Sequence, residues 1–430
     1  MKNRKALALI AILALVAAAC GGSDTADEVV EVEVETTEAP ATTEAPATTA
    51  APSADPLVLA SLMPLSGDLA SLGPGIALGA ALAVEQINAA GGINGQPVVL
   101  IEGDSGCDGA VALTSLNDVI AQGAQGVMGA ACSGTSLAIL DTAIAAEVVM
   151  VSPSNTSPQF TKIDKKGFYA RTAPSDLLQG DVLASLLVED GVQTVSIISR
   201  ADSYGRGLAE ATAAAFEAAG GTVKTIVYHA TDASEFTSEV TAVGKGGADA
   251  IVGILFPETG CGVLQPAFEQ GLLDTPWYMT DGVKDAGLAS LCGLGTALDG
   301  FKGTAPGSAA GEAKDAFEAA YAEVSADGSP TFIFAPQAYD AVMLMAISAA
   351  ANGVTGPEIA SGLVAASSGG EKCIGVACIA LAADGVDVDY VGASGEIELN
   401  AVGDPTAATY DIWTTEGDTN PVLKSVDFGS

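Results

Sequence analysis

The chain has 430 residues and carries 16 Lys+Arg against 53 Asp+Glu, a formal net charge of −37. That balance argues against nucleic acid as a partner, because phosphate binding needs cations, and no Lys/Arg run offers a polybasic membrane patch. Hydrophobic residues are 49 % and charged residues 16 %, so most of the chain can pack cores, and its length suits two domains better than one.

Lys2, Arg4 and Lys5 precede an unbroken apolar run from Ala6 to Ala19. The run is too short to span a bilayer, which takes about 20 residues, and it fits the apolar region of a signal peptide over 1–20. It ends Ala17-Ala18-Ala19-Cys20-Gly21. Small residues before a cysteine resemble a bacterial lipobox, which makes Cys20 the expected lipidated residue; Ala17 departs from the leucine commoner there. Residues 21–55 hold acidic residues, near-repeats of Thr-Thr-Glu-Ala-Pro and no Lys or Arg. Such a segment cannot offset its ordering entropy and is expected to be an extended tether.

Seven cysteines are present. With Cys20 set aside, Cys107, Cys132, Cys261, Cys292, Cys373 and Cys378 remain, an even number in a chain expected to be exported. Six cysteines allow about 15 pairings; order and spacing favour 107–132, 261–292 and 373–378. Neither a C-x-x-C pair nor a Cys/His cluster suggests zinc, and no metal or cofactor is expected. The single histidine, His229, lacks the surroundings of a Ser-His-Asp triad or a multi-His metal site and reads as a partly exposed strand residue.

From Leu57 onward, short apolar runs alternate with helical spacing. Strands are expected at Leu57–Met63, Val98–Ile101, Gly126–Ala130 and Val148–Val151, and helices at Gly75–Ala90, Ala110–Gln122 and Ser136–Ala146. After Arg171 the pattern resumes. Helices are expected at Gln179–Glu189, Gly205–Ala219, Phe236–Lys245 and Gly260–Gln270, and strands at Val195–Ser199, Val223–Val227, Ala250–Leu255 and Pro276–Met279. Two long helices, Glu312–Val324 and Pro336–Ala351, follow, and the chain from Asp387 is β-rich. This alternation implies an α/β fold with parallel sheets covered on both faces. Ligands in such folds sit beyond the carboxyl ends of the strands. The residues there are hydroxyls, glycines, Tyr204, Glu258 and Asp281, a set able to hold a small molecule but without a nucleophile or metal site, so no enzyme activity is expected.

The ordered segments MPLSG, EQINAAGGINGQPVVLIEGDSGCD, CSGTS, MVSPSNTSP, YGRGL, PETG and MTDG resemble the leucine/isoleucine/valine-binding protein family, type I periplasmic solute receptors of ABC transporters. The resemblance covers residues 57–430. It implies two doubly wound Rossmann-like lobes joined by three crossover segments, near Thr172–Ser175, Gly303–Pro306 and Val388–Gly392. The N-terminal lobe would take 56–173 and 305–389, and the C-terminal lobe 174–304 and 390–430. By the same resemblance Ser133, Ser154 and Thr156 would bind a ligand carboxylate, helped by the helix start near Ser136. Tyr204 would close over the ligand, Glu258 would pair with an α-ammonium, and Asp281 would assist. Leu72 stands where an aromatic residue is common and Asn155 where a small one is usual, so both bear on side-chain specificity. Each residue also has a plain structural alternative, since Ser-Gly-Thr caps helices and a Pro-Glu pair is often simply exposed.

The expected function is an extracytoplasmic lipoprotein, a monomer, that captures a small amino acid, branched-chain or similar, and delivers it to ABC permease and ATPase subunits. The alternatives are a ligand sensor of the same fold, or a receptor for urea, a short amide or a small aromatic acid.

Overall fold

The computed structural model describes residues 55–428. The expectations for the signal peptide, for Cys20 and for nearly all of the tether fall on residues 1–54, outside the described residues.

In chain order the elements are β1 (Val58–Met63), α1 (Gly73–Ala89), β2 (Val99–Asp104), α2 (Gly109–Ala121), β3 (Gly126–Gly129), α3 (Ser133–Ala145), β4 (Val149–Ser152), α4 (Gln159–Lys162), β5 (Tyr169–Arg171), α5 (Asp176–Glu189), β6 (Thr194–Arg200), α6 (Ser203–Ala218), β7 (Thr222–His229), α7 (Thr237–Gly244), β8 (Ala250–Ile254), α8 (Pro257–Glu269), β9 (Trp277–Met279), α9 (Leu288–Leu291), β10 (Lys302–Pro306), α10 (Glu312–Val324), α11 (Ala335–Asn352), α12 (Gly356–Gly362), β11 (Glu371–Ile374), α13 (Ala377–Ala383), β12 (Val388–Gly392), β13 (Gly395–Glu396), β14 (Ala408–Thr414) and β15 (Val422–Phe428). No helix among the described residues is long and apolar enough to cross a membrane.

Two large sheets define two lobes. The first runs β2-β1-β3-β4-β5, with every pair parallel. Its strands alternate between two cores, as a pleated ribbon with both faces covered must. In β1 and its approach, Leu57, Leu59 and Met63 face the core shared with α1 and α11, while Ala60 and Leu62 face the core shared with α2 and α3. The second sheet runs β15-β14-β10-β9-β8-β6-β7, parallel from β7 to β10 and then antiparallel through β14 and β15. A small third sheet, β11-β12-β13, stands apart from both. The cysteines pair 107–132, 261–292 and 373–378.

Three expectations need correction. Most of the helices after strands begin earlier than their apolar periodicity suggests: α3 at Ser133 rather than Ser136, α5 at Asp176 rather than Gln179, α6 at Ser203 and α8 at Pro257. First-turn residues are polar or small because their N–H groups need partners, and periodicity does not register them. The third passage between lobes also lies later than Val388–Gly392. The Gly403 carbonyl still accepts from the Arg171 amide and the Asp404 carboxylate from the Arg171 guanidinium at 3.0 Å, and the chain joins the second sheet only from Ala408. Finally, His229 is fully buried: its Nδ1 lies 2.8 Å from the Ala230 carbonyl and its ring packs on Phe236. Burial holds its pKa below the ordinary value, so it is a neutral core residue.

Candidate functional site

Both parallel sheets change strand order, between β1 and β3 and between β6 and β8, and in open sheets that is where the carboxyl ends leave a crevice. The two crevices face each other. Leu69, Leu72, Ile76, Ala131, Ser133, Ser154 and Phe334 from one lobe and Tyr204, Phe256, Asp281 and Gly282 from the other line one small cavity. Its walls are largely aliphatic and aromatic. Phe334 holds its place from a left-handed backbone, φ 61°, a conformation costing of order 1 kcal/mol for a bulky residue.

The polar side of the first lobe is built from two loops. Ser133 opens α3, whose first turn has no side-chain cap, so its N–H groups remain free to meet an anion. The Ser154 hydroxyl donates to the Ala131 carbonyl at 3.2 Å. Asn155 does not reach the cavity lining. It is fully buried; its amide donates to the Ala130 and Ala131 carbonyls at 3.0 and 2.7 Å, and its oxygen accepts from the Tyr169 hydroxyl at 2.9 Å. Its side chain therefore staples the loop after β4 to the end of β3. Thr156 is also fully buried and outside the lining. Beneath this loop Arg171 donates to the Asn155 and Ser157 carbonyls, each at 3.0 Å, and to Asp404. Burial pushes the Asp404 carboxyl up, but the Arg171 charge, then hydrogen bonds from Arg171 and Thr161 and the Lys165 charge, outweigh it and hold its pKa low.

The second lobe contributes carboxylates. Asp281 accepts from the Gln179 amide at 2.8 Å and the Tyr204 hydroxyl at 3.0 Å; burial nevertheless pushes its pKa up to about 6. Asp176, one turn before Gln179 on α5, is fully buried and raised well above the ordinary range by burial and by the neighbouring Asp281 charge. Neither Asp176 oxygen has a hydrogen-bond partner; the Thr156 hydroxyl faces it without completing a bond. The Gln179 Oε1 is likewise unpartnered. Glu258, in the first turn of α8, does not line the cavity. Its Oε1 accepts from the Ser71 amide of the other lobe at 3.0 Å, and its Oε2 is buried without a partner. Burial raises its pKa too.

Of the sequence-expected residues, the fold brings Leu72, Ser133, Ser154, Tyr204 and Asp281 together around the cavity, places Thr156 and Glu258 at its margin, and keeps Asn155 out of it. Sequence reasoning missed Leu69, Ile76, Phe256, Phe334, Asp176 and Gln179. Asp176 and Gln179 had a signal, polar residues at i and i+3 opening an otherwise apolar helix; the others lay inside ordinary apolar runs.

Known proteins share this architecture. A family model described as "Periplasmic binding protein" matches residues 56–372. An amino acid binding protein of Pseudomonas aeruginosa is 34% identical over 238 residues, 54% of this chain and 62% of the relative, so that match spans a little under two thirds of its length. A leucine-, isoleucine-, valine-, threonine- and alanine-binding protein of the same organism is 29% identical over 304 residues, 69% of this chain and 78% of the relative. Among solved structures, the branched-chain amino acid transporter substrate-binding protein LivJ of Streptococcus pneumoniae, in complex with isoleucine, superposes with TM-score 0.72 at 22% identity, covering 87% of this chain and 100% of that one. An ABC transporter solute-binding protein of R. palustris in complex with benzoate gives TM-score 0.71 at 18% identity, covering 87% and 98%. With its paired α/β lobes and a family model matching most of its length, the chain belongs to the periplasmic binding protein family.

Proposed function

We propose that this solute-binding protein captures a small α-amino acid with an apolar side chain in the interlobe cavity and hands it to an ABC-type permease. One observation carries the reading. Asp176 Oδ1 and Oδ2 and Gln179 Oε1, beside Asp281, and Glu258 Oε2, beside Ser71, are buried acceptors without partners, and no Lys or Arg lines the cavity. Buried acceptors demand donors, and buried carboxylates demand positive charge. An α-ammonium supplies both. The uncapped start of α3 with the Ser133 hydroxyl answers the carboxylate, and Leu69, Leu72, Ile76, Phe256 and Phe334 answer an aliphatic side chain. In this reading Glu258 keeps an ammonium contact through Oε2 while Oε1 stays on Ser71. An exported chain anchored by a lipidated Cys20 completes the proposal.

The test is isothermal titration with leucine and with 4-methylpentanoate, which is leucine without its ammonium. A site built around donors rejects the analogue lacking them by about 10⁴-fold. Leucine binding with the analogue weaker by at least a thousandfold (about 4 kcal/mol) supports the reading. An analogue, or benzoate, that binds as tightly as leucine refutes it.

A further inference from the structure

A carboxylate outside the cavity ties the two lobes together. Asp68 lies on the first-lobe segment between β1 and α1, and all its partners belong to the second lobe. Its Oδ1 accepts from the Thr259 amide at 2.7 Å, and its Oδ2 accepts from the Thr259 hydroxyl at 2.9 Å and pairs with the Arg200 guanidinium. Thr259 is the third residue of α8, whose own N-cap position is Phe256, a residue with no side chain able to cap. A capping side chain accepts from the second or third amide of a helix. Asp68 makes that bond from across the cleft, with the helix dipole favouring its charge.

We propose that Asp68 is the closing residue of this receptor: an N-cap supplied to α8 by the opposite lobe, which holds the cleft shut over its ligand. Both ends are prepared for it. Arg200 is fixed within its own lobe, its Nε on Asp202 at 2.9 Å and its guanidinium 3.9 Å from the centre of the Phe256 ring. Asp68 follows a rigid turn: Gly67 has φ +79°, and a Cβ there would sit 2.1 Å from the Gly106 carbonyl oxygen. That turn is tied down by Asp104, which accepts from the Leu65, Ser66 and Gly106 amides and the Ser66 hydroxyl. Because Leu69 and Leu72 stand on the same segment and line the cavity, seating Asp68 on α8 also seats them on the ligand. Separation of the lobes would leave α8 uncapped and take from Arg200 one of its two carboxylate partners, so the contact resists opening and slows release.

The inference rests on the cleft being the ligand site, and its test separates the two ideas. Stopped-flow binding of leucine to the wild type and to Asp68→Ala and Asp68→Asn reads the kinetics. Loss of one partner of a hydrogen-bonded charge pair acts on dissociation more than on encounter. The expected result for Asp68→Ala is a dissociation rate about 10- to 100-fold faster with the association rate within about twofold. Asp68→Asn retains the Oδ1 acceptor and is expected to fall between. Hydrogen exchange of the ligand-free proteins reads the latch with no ligand at all: the Thr259 amide should exchange faster in Asp68→Ala than in the wild type, and less so in Asp68→Asn. Unchanged dissociation in Asp68→Ala, or unchanged exchange at Thr259, overturns the proposal. So does a variant whose melting temperature falls while its kinetics stay put. If the wild type binds no leucine, the proposed function fails, and the exchange measurement still decides the latch.

Discussion

Replacing Asn155 by alanine separates a structural staple from a ligand contact. The side chain is fully buried; its removal leaves the Tyr169 hydroxyl without its acceptor and takes one donor each from the Ala130 and Ala131 carbonyls, which keep the Ser136, Ser152 and Ser154 hydroxyls. The orphaned hydroxyl costs about 1–3 kcal/mol and each further lost bond about 0.5–1 kcal/mol, and because the three share one site their sum is best taken as about 2–4 kcal/mol. The unfolding entropy is about 2.1 cal/mol/K per residue, or about 0.8 kcal/mol/K for a body of about 370 residues. If that body melts as one unit, the melting temperature should fall by about 3–5 °C. Ala131 lines the cavity, so affinity should weaken as well, through the loosened loop. The assay is calorimetric unfolding of the ligand-free protein beside titration with leucine. A melting temperature within about 1 °C of wild type, accompanied by a large loss of affinity, would refute the staple and restore Asn155 as a ligand contact.

Two further predictions follow from the charges. Asp281 is raised by burial from 3.8 to about 6, and Asp176 is raised as well. In the ligand-free protein both carboxyls hold protons that the unfolded chain has already lost; the Asp281 share of stability is present at about pH 4 and is lost as pH rises through about 6. A ligand ammonium favours the ionised forms. Leucine should therefore bind more weakly as pH falls through about 6 and release protons on binding near that pH, which titration in buffers of different ionisation enthalpy reads directly; tighter binding at pH 5 than at pH 7.5 contradicts the ammonium site. Asp404→Ala leaves the fully buried Arg171 and the nearly buried Lys165 without their counter-charge, an expected cost of about 3–5 kcal/mol in denaturant unfolding, and a change under 1 kcal/mol would show that the network is dispensable. The Asp404 carboxyl is held below the ordinary range, so its contribution is present above pH 3.8 and is lost as pH falls through the lowered value.

The architecture was legible because it rests on local regularities. Alternating short apolar runs and helical spacing announce a parallel sheet covered on both faces, and an even count of cysteines in sequence order pairs as neighbours. The residues after strands were legible as a class for the same reason, and Ser133, Ser154, Tyr204 and Asp281 do meet around one cavity. Helix starts were not. Ser133, Asp176 and Glu258 stand in first turns, where the need to satisfy or leave open backbone N–H groups replaces apolar periodicity as the governing pattern.

The sequence by itself therefore determined the layers, the strand ends and the chemical character of the cleft, because these follow from periodicity and residue type along a few consecutive positions. Tertiary structure alone decided which polar residues face that cleft and which serve the scaffold. Asn155 and Thr156 sit in the same short loop as Ser154, yet only Ser154 lines the cavity, since the direction of each side chain is set by carbonyls and carboxyls brought in from β3, β5 and α5. The pairing of Asp68 with Thr259, 191 residues away, has no local signature at all. It exists because two lobes folded from separate stretches of chain bring a spare carboxylate to an uncapped helix, and a contact made only by docking cannot be written into the pattern of either segment.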